Sequence, residues 1–209
     1  MVQREVPGPG RVTAGRRAET MAETRHKILA AGRRAFAEQG YAAASMDELT
    51  ASVGLTRGAL YHNFGDKKGL LWAVIAQIDG EMAERLRQVR ERAPNLWQGL
   101  LDEGAAYIAM AAEPEIQRIM LRDGPAVLGD PSQWPGENAC LEITMRTLRA
   151  LIDQGVVHAL DVEAAGRLFN GAALSAALWV AASDDPSRVL DKAVAAFRQL
   201  ACGLLRDGP

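Results

Sequence analysis

Within the 23 residues from Ser45 to Lys67, SMDELTASVGLTRGALYHNFGDK, the chain carries a helix cap, an apolar stripe, a glycine, a second cap and a third. Ser45 and Glu48 fit the S-x-x-E capping pattern, in which side chains satisfy orphan N–H groups at a helix start. Met46, Leu49 and Val53 then recur at i, i+3 and i+7, one apolar face. Gly54 follows where the chain must enter the left-handed region, which glycine does without steric penalty. Leu55 plugs the corner and Thr56 is a suitable N-cap for a second short helix. In that helix Leu60 and Phe64, four apart, face inward and leave Arg57, Gly58, Tyr61 and His62 on the outer edge. Asp66 caps a third helix with Lys67 in its first turn, the less favourable end of the helix dipole for a cation. An external phosphate is one reason for a lysine there. The unit therefore predicts two short helices joined by a glycine turn, with a polar edge suited to a DNA groove.

The stretch TRHKILAAGRRAFAEQGYAAASMDELTASVGLTRGALYHNFGDKKGLL, residues 24–71, resembles the N-terminal DNA-binding domain of the TetR (tetracycline repressor) family of bacterial transcriptional regulators. A leading helix ends at Gly40-Tyr41, and the helix-turn-helix closes in Y-H-x-F-x-x-K. Asn63 departs from the pattern, since a ring is common at that position. The resemblance implies that Arg57 and Gly58 lie near base edges and that Tyr61, His62 and Lys67 grip phosphates. It also implies that Thr24 and Thr56 are helix caps close to the DNA backbone.

Net charge, −2 over 209 residues, does not point to nucleic acid, but its distribution does. Residues 1–70 hold 11 Lys/Arg against 7 Asp/Glu, and residues 71–209 hold 13 against 19, a basic module on an acidic body. The opening MVQREVPGPGRVTAGRR lacks the apolar core of a signal peptide. Residues 1–17 read as a flexible arm; Arg16 and Arg17 either follow DNA or belong to a free tail. No apolar run is long enough for a transmembrane helix, and the expected compartment is the cytoplasm. Cys140 and Cys202 are isolated, and His26, His62 and His158 show no ligand spacing, so no metal and no cofactor are expected.

After Lys67 every periodic run is helical. Leu71, Val74, Ile78, Met82, Leu86 and Val89 mark a long amphipathic helix that stops near Ala93-Pro94. A run over 96–112 and a short helix with Ile116, Met120 and Leu121 follow. A Pro/Gly-rich break is expected around 122–137, where Arg122 and Asp123 can pair. A helix with Leu141, Met145, Leu148 and Ile152 stops at Gly155. Two last helices span 162–182 and 186–205, the second with proline in its first turn. The expected fold is all-α: an arm (1–17), a three-helix helix-turn-helix DNA-binding domain (18–67), and a six-helix ligand-binding and dimerisation domain (68–209). Nine helices is the count the resemblance implies.

The helix over 162–182 is rich in small residues, and the apolar stripe of the last helix covers either its own subunit or a partner. The resemblance implies a homodimer through these two helices, with Ala173, Ala176, Ala177, Val194, Phe197, Ala201 and Leu204 at the interface. Such a dimer matches a palindromic double-stranded DNA operator. The resemblance also implies a small-molecule effector of unstated identity among the central helices. Tyr107, Met110, Met120, Trp134, Phe169 and Trp179 are core or cavity lining. Asn170 is a polar residue in an apolar helix that needs a partner.

The expected function is a DNA-binding transcriptional regulator, a repressor by family default. An activator, or a helix-turn-helix protein that works through protein contacts, is the alternative. An enzyme is not expected. Asp102-Glu103 and Asp184-Asp185 are sequence neighbours, which diverge by about 100° on a helix and do not converge on one bond. No nucleophile elbow, P-loop or H-E-x-x-H is present.

Overall fold

The computed structural model describes the backbone of residues 9–206, and side chains from residue 19 onward apart from Pro135 and Glu137. Its contacts divide the chain into two units, residues 1–74 and 75–209. The division falls inside a helix, not at the Lys67 boundary read from the sequence.

The first unit holds α1 (Pro9–Gln39), α2 (Met46–Ser52), α3 (Arg57–Phe64) and the start of α4 (Lys67–Arg92). Ile28, Phe36, Leu49, Leu60, Leu70, Leu71 and Val74 are its large buried side chains. Helix α1 corrects two expectations. It already runs at Pro9, so the segment expected as an arm is helical from there, and residues 1–8 of that segment lie outside the described backbone. The side chains of Arg16 and Arg17 lie outside the described residues. Thr24 sits mid-helix and caps nothing. The cause is local: Pro9 suits a first helical turn, and RRAETMAETRHK after Gly15 is made largely of good helix formers with no breaker.

The second unit continues α4 and adds α5 (Leu96–Met110), α6 (Pro114–Arg118), α7 (Gly124–Leu128), α8 (Pro135–Asp153), α9 (Val162–Ala182) and α10 (Pro186–Cys202). No strand is present among the described residues. Asn95, Asp161 and Asp185 cap α5, α9 and α10 through bonds from the N–H groups of Gln98 (2.8 Å), Ala164 (2.7 Å) and Arg188 (3.1 Å). Helix α9 is central to the core, with Phe169, Ala173, Ala177 and Val180 buried together with Leu100, Ile108, Leu148, Leu151 and Phe197. The Phe169 and Phe197 rings meet edge-on at 5.0 Å, a favoured aromatic geometry.

The break expected at 122–137 starts later. Helices α6 and α7 are continuous through a π turn, Ile119–Asp123, so the described residues form nine helical rods. The π turn precedes Pro125, whose ring would clash with the carbonyl four residues back in a regular helix. The wider turn relieves that clash. Gly124 is demanded by close approach: a Cβ there would lie 2.7 Å from the Trp134 ring and 2.9 Å from the Ile119 carbonyl oxygen. Arg122 donates to the Ala181 carbonyl from Nε (3.1 Å) and Nη2 (2.7 Å), and Gln117 donates to the same oxygen at 2.7 Å. Three donors, one side chain cationic, thus cap the C-terminal end of α9. Helix α10 also ends earlier than expected, at Cys202. Residues 204–206 instead pair with 156–158 through His158 N to Leu204 O and Arg206 N to Val156 O, both 3.0 Å.

Candidate DNA interface and effector cavity

Helix α3 has only eight residues, too short to hold itself in water, so its rigidity comes from its neighbours. The Thr56 hydroxyl accepts from Ala59 N at 3.3 Å, as Ser45 does from Glu48 N at the start of α2. Gly54 sits at φ +67°, as the turn between α2 and α3 requires. Leu60 is fully buried and Phe64 half-buried. At the far end of α3, Arg25 of α1 donates to the Asn63 carbonyl (2.8 Å) and stacks over the Phe64 ring, 4.4 Å from its centroid. Asn63 turns its own amide back onto Ala59 O at 2.8 Å, so this donor serves the helix and not the outside.

This frame leaves Arg57, Gly58, Tyr61 and His62 exposed side by side, with Thr56 exposed at the helix start. Arg57 donates to the Tyr61 hydroxyl at 3.1 Å and pairs with Asp47 of α2 at 3.4 Å. The Tyr61 hydroxyl first, and the Asp47 carboxylate second, raise the pKa of the guanidinium further. A Cβ on Gly58 would meet only Thr56 Oγ1, at 3.7 Å, so nothing inside the protein requires glycine there. Lys67 differs from its sequence reading. Its Nζ donates to Ala42 O at 3.3 Å and lies 4.7 Å from the Tyr41 ring centroid, which gives it a reason inside the chain. Asp66 caps α4 through Gly69 N at 2.6 Å. Two residues were missed, Arg25 and Asp47. Arg25 is 38 positions from its partner, and no periodicity signals a contact of that kind. Asp47 lies in the first turn of α2, ten residues from Arg57, and no motif marks it.

A cleft in the second unit, lined by Leu86, Leu100, Gly104, Tyr107, Cys140, Thr144, Phe169 and Asn170, encloses about 40 Å³. It shares Leu86, Glu103, Tyr107 and Cys140 with an outer groove of about 380 Å³. Glu103 pairs with Arg90 at 2.5 Å in the wall. Asn170 accepts from Thr144 Oγ1 at 3.0 Å and faces Cys140 Sγ at 3.6 Å, so its amide already has partners in the protein. Of the expected lining residues, Tyr107, Phe169 and Asn170 are there. Met110, Met120 and Trp134 are buried elsewhere in the core, and Trp179 stands half exposed on the outside of α9. Its position in α9 sets it about one helical face away from Phe169 and Ala173.

The expected dimer residues differ in how far their own subunit buries them. Ala173, Ala177, Phe197 and Ala201 are buried in their own subunit, and Ala176, Val194 and Leu204 pack half-buried on the same core. In α9 and α10 the large apolar side chains left in solvent are Leu168 (75 % exposed), Leu200 (72 %) and Trp179 (50 %). Leu168 and Leu200 flank a depression of about 370 Å³ that Phe197, Ala201 and Leu204 also line.

Residues 28–74 match the family described as bacterial regulatory proteins, tetR family, and residues 97–204 match the tetracyclin repressor-like C-terminal domain. This chain belongs to the TetR family. A TetR-family transcriptional regulator from Pectobacterium atrosepticum, known from its crystal structure, is 48 % identical with a TM-score of 0.84, covering 91 % of this chain and 98 % of that one. The transcriptional repressor AcnR of Corynebacterium glutamicum is 31 % identical over 133 residues, 63 % of this chain and 68 % of its own. The repressor Rv1474c of Mycobacterium tuberculosis is 33 % identical over 105 residues, 49 % of this chain and 54 % of its own. The chain thus spans between about half and two thirds of these two repressors. As a TetR-family member it is a DNA-binding transcriptional regulator, and no helix among its described residues is long and apolar enough to cross a membrane.

Proposed function

We propose that this TetR-family protein is a cytoplasmic repressor that binds a palindromic operator as a homodimer and is released by a small molecule. It works by binding alone, without chemistry. The observation that carries the reading is the outer edge of α3. Arg57, Gly58, Tyr61 and His62 stand exposed together, on a helix whose other side is fixed by Leu60 and Arg25. Arg57 is the base-edge reader; Tyr61, His62 and Lys67 contact phosphates, and Thr56 lies at the DNA backbone. Lys67 keeps two of its three ammonium hydrogens beyond the bond to Ala42.

The homodimer forms through the α9–α10 face that carries Leu168, Leu200 and Trp179. Leu168 and Leu200 flank one depression and Trp179 lies further along α9; exposed apolar groups of this size are costly in water unless covered. The effector enters the groove bounded by α4, α5 and α8. Its lining sets Met82, Leu86, Tyr107 and Ile143 beside the charged Asp79, Glu84, Arg87, Arg90 and Glu103, which suits an amphipathic molecule, and a volume of about 380 Å³ falls in the range of small-molecule sites. Binding there favours a conformation unfit for the operator.

The test is fluorescence anisotropy on a duplex selected from a random pool by the purified protein, repeated across salt concentrations. Affinity should fall steeply with salt. Lys67→Ala should weaken all duplexes alike and flatten the slope by about one ion. Arg57→Ala should relax discrimination at one operator position by roughly tenfold or more. Absence of salt-dependent duplex binding by the wild-type protein would refute the reading.

A further inference from the structure

Arg57 does not stand alone on the DNA-facing edge. Its Nη1 lies 3.4 Å from Asp47 Oδ2 and its Nη2 donates to the Tyr61 hydroxyl at 3.1 Å. Its guanidinium carbon is 5.4 Å from the Tyr61 ring centroid. Asp47 and Arg57 are both solvent-exposed, at 69 % and 58 % of their side chains, and belong to different helices ten residues apart. A carboxylate exposed on a surface that must approach a polyanion is unfavourable for binding DNA in general, since it repels phosphates and competes for the cation. Asp47 nevertheless sits where it touches the one exposed arginine of α3.

We propose that Asp47 is a specificity-determining residue that acts through Arg57. Held by Asp47 on one side and Tyr61 on the other, the guanidinium uses two of its five N–H donors, which sets the orientation of its plane and of the three donors left. A base edge with two acceptors, such as the O6 and N7 of guanine, accepts from that preset fork without displacing Asp47. A phosphate that approaches Arg57 from an arbitrary register meets the Asp47 carboxylate beside the guanidinium. Asp47 therefore lowers affinity for DNA at large more than for the right sequence. It is a positioning residue, and it rests on the reading that α3 is the helix that contacts DNA.

Asp47 has a second role available, since an acid in the first turn of α2 favours the helix dipole. The two roles separate by experiment. The full-length protein is compared with Asp47→Asn, with Glu48→Gln as the control that removes the neighbouring first-turn charge, and with both substitutions in an Arg57→Ala background. Anisotropy is read on the duplex selected by the wild-type protein and on a scrambled duplex of equal length, at several salt concentrations. D47N should raise affinity for the scrambled duplex by about three- to tenfold and lower the ratio of selected to scrambled affinity by a similar factor. E48Q should leave that ratio near wild type, and D47N should lose its effect on the ratio when Arg57 is already alanine. An unchanged ratio in D47N, or an equal change in E48Q, overturns the role of Asp47. A wild-type protein that binds neither duplex overturns the underlying reading of α3 instead. A thermal melt run alongside reports the dipole contribution, which moves stability and not the ratio.

Discussion

Gly58→Ala adds a single methyl group to the exposed edge of α3 and separates folding from DNA contact more cleanly than any other change there. Inside the protein that methyl meets only Thr56 Oγ1, at 3.7 Å, an ordinary van der Waals contact. Gly58 is not among the glycines with positive φ, so alanine adopts its backbone without strain. Glycine in a helix is less stable than alanine by about 0.5–1 kcal/mol, and the first turn takes the lower part of that range. For a chain of this size about 1 kcal/mol moves the melting temperature by roughly 2–4 °C. G58A should therefore melt unchanged or about 1–2 °C higher. If a phosphate or base edge packs against the Cα of Gly58, the same methyl occupies its place. Overpacking of one methyl costs about 1–3 kcal/mol, which is roughly five- to 150-fold in affinity. Calorimetry and anisotropy on one preparation read both quantities. A variant as stable as wild type that binds the selected duplex equally well would remove Gly58 from the interface. A destabilised variant would show that the local packing argument is wrong.

Three other perturbations test different parts of the structure. Arg25→Ala removes the bond to Asn63 O and the stacking on Phe64; because the pair is exposed, the loss should be about 0.5–1 kcal/mol, seen as faster hydrogen exchange in the last turn of α3, and unchanged exchange there would deny Arg25 its clamp. Leu200→Glu places a charge on the apolar α9–α10 face and should shift the protein to monomer in analytical ultracentrifugation without lowering its helix content; a persistent dimer would put the interface elsewhere. The Glu84 carboxylate, held by Arg87 first and Gln88 second, has its pKa lowered to about 2. Its depressed folded value means that its contribution is complete above the ordinary value of 4.5 and fades as pH falls towards about 2. An NMR titration of that carboxylate with a midpoint near 4.5 would break the ladder that Arg87 forms with Glu84 and Glu91.

What was legible in the sequence follows from how local each signal is. Caps and glycine turns are encoded within four residues, so Ser45, Gly54, Thr56 and Asp66 were placed by pattern alone, and each has its expected role. Periodicity likewise marks α4, α5, α8, α9 and α10. It states that a face is buried but not against what, as α9 and α10 show. Small residues suggested a face for a partner, yet Ala173 and Ala177 face Phe197 and the core of their own chain. The solvent-facing stripe is instead Leu168, Gly171, Ser175 and Trp179, also spaced by three and four. Two stripes of the same period on one helix are indistinguishable until the neighbours are known. The π turn before Pro125 was illegible for a related reason, since proline and glycine signal a stop and only the packing of Gly124 against Trp134 shows a continuation.

The recognition edge itself illustrates why contact residues and support residues must be argued separately. An eight-residue helix gains little from its own backbone, so any precision at Arg57 is borrowed from side chains elsewhere in the first unit. Thr56 fixes its start, Leu60 its depth, and Arg25 its end, from positions spread over 35 residues of sequence. Lys67, read from sequence as a phosphate ligand, belongs partly to this support because it ties the start of α4 to Ala42 and Tyr41. Loss of Lys67 should therefore loosen the frame as well as remove the proposed phosphate contact, while loss of Arg57 touches only the exposed edge. The two kinds of residue differ in the observable they move. On the proposed reading, loss of a support residue should change hydrogen exchange and affinity for every duplex alike, whereas loss of Arg57, or of Asp47 behind it, should change which duplex is preferred.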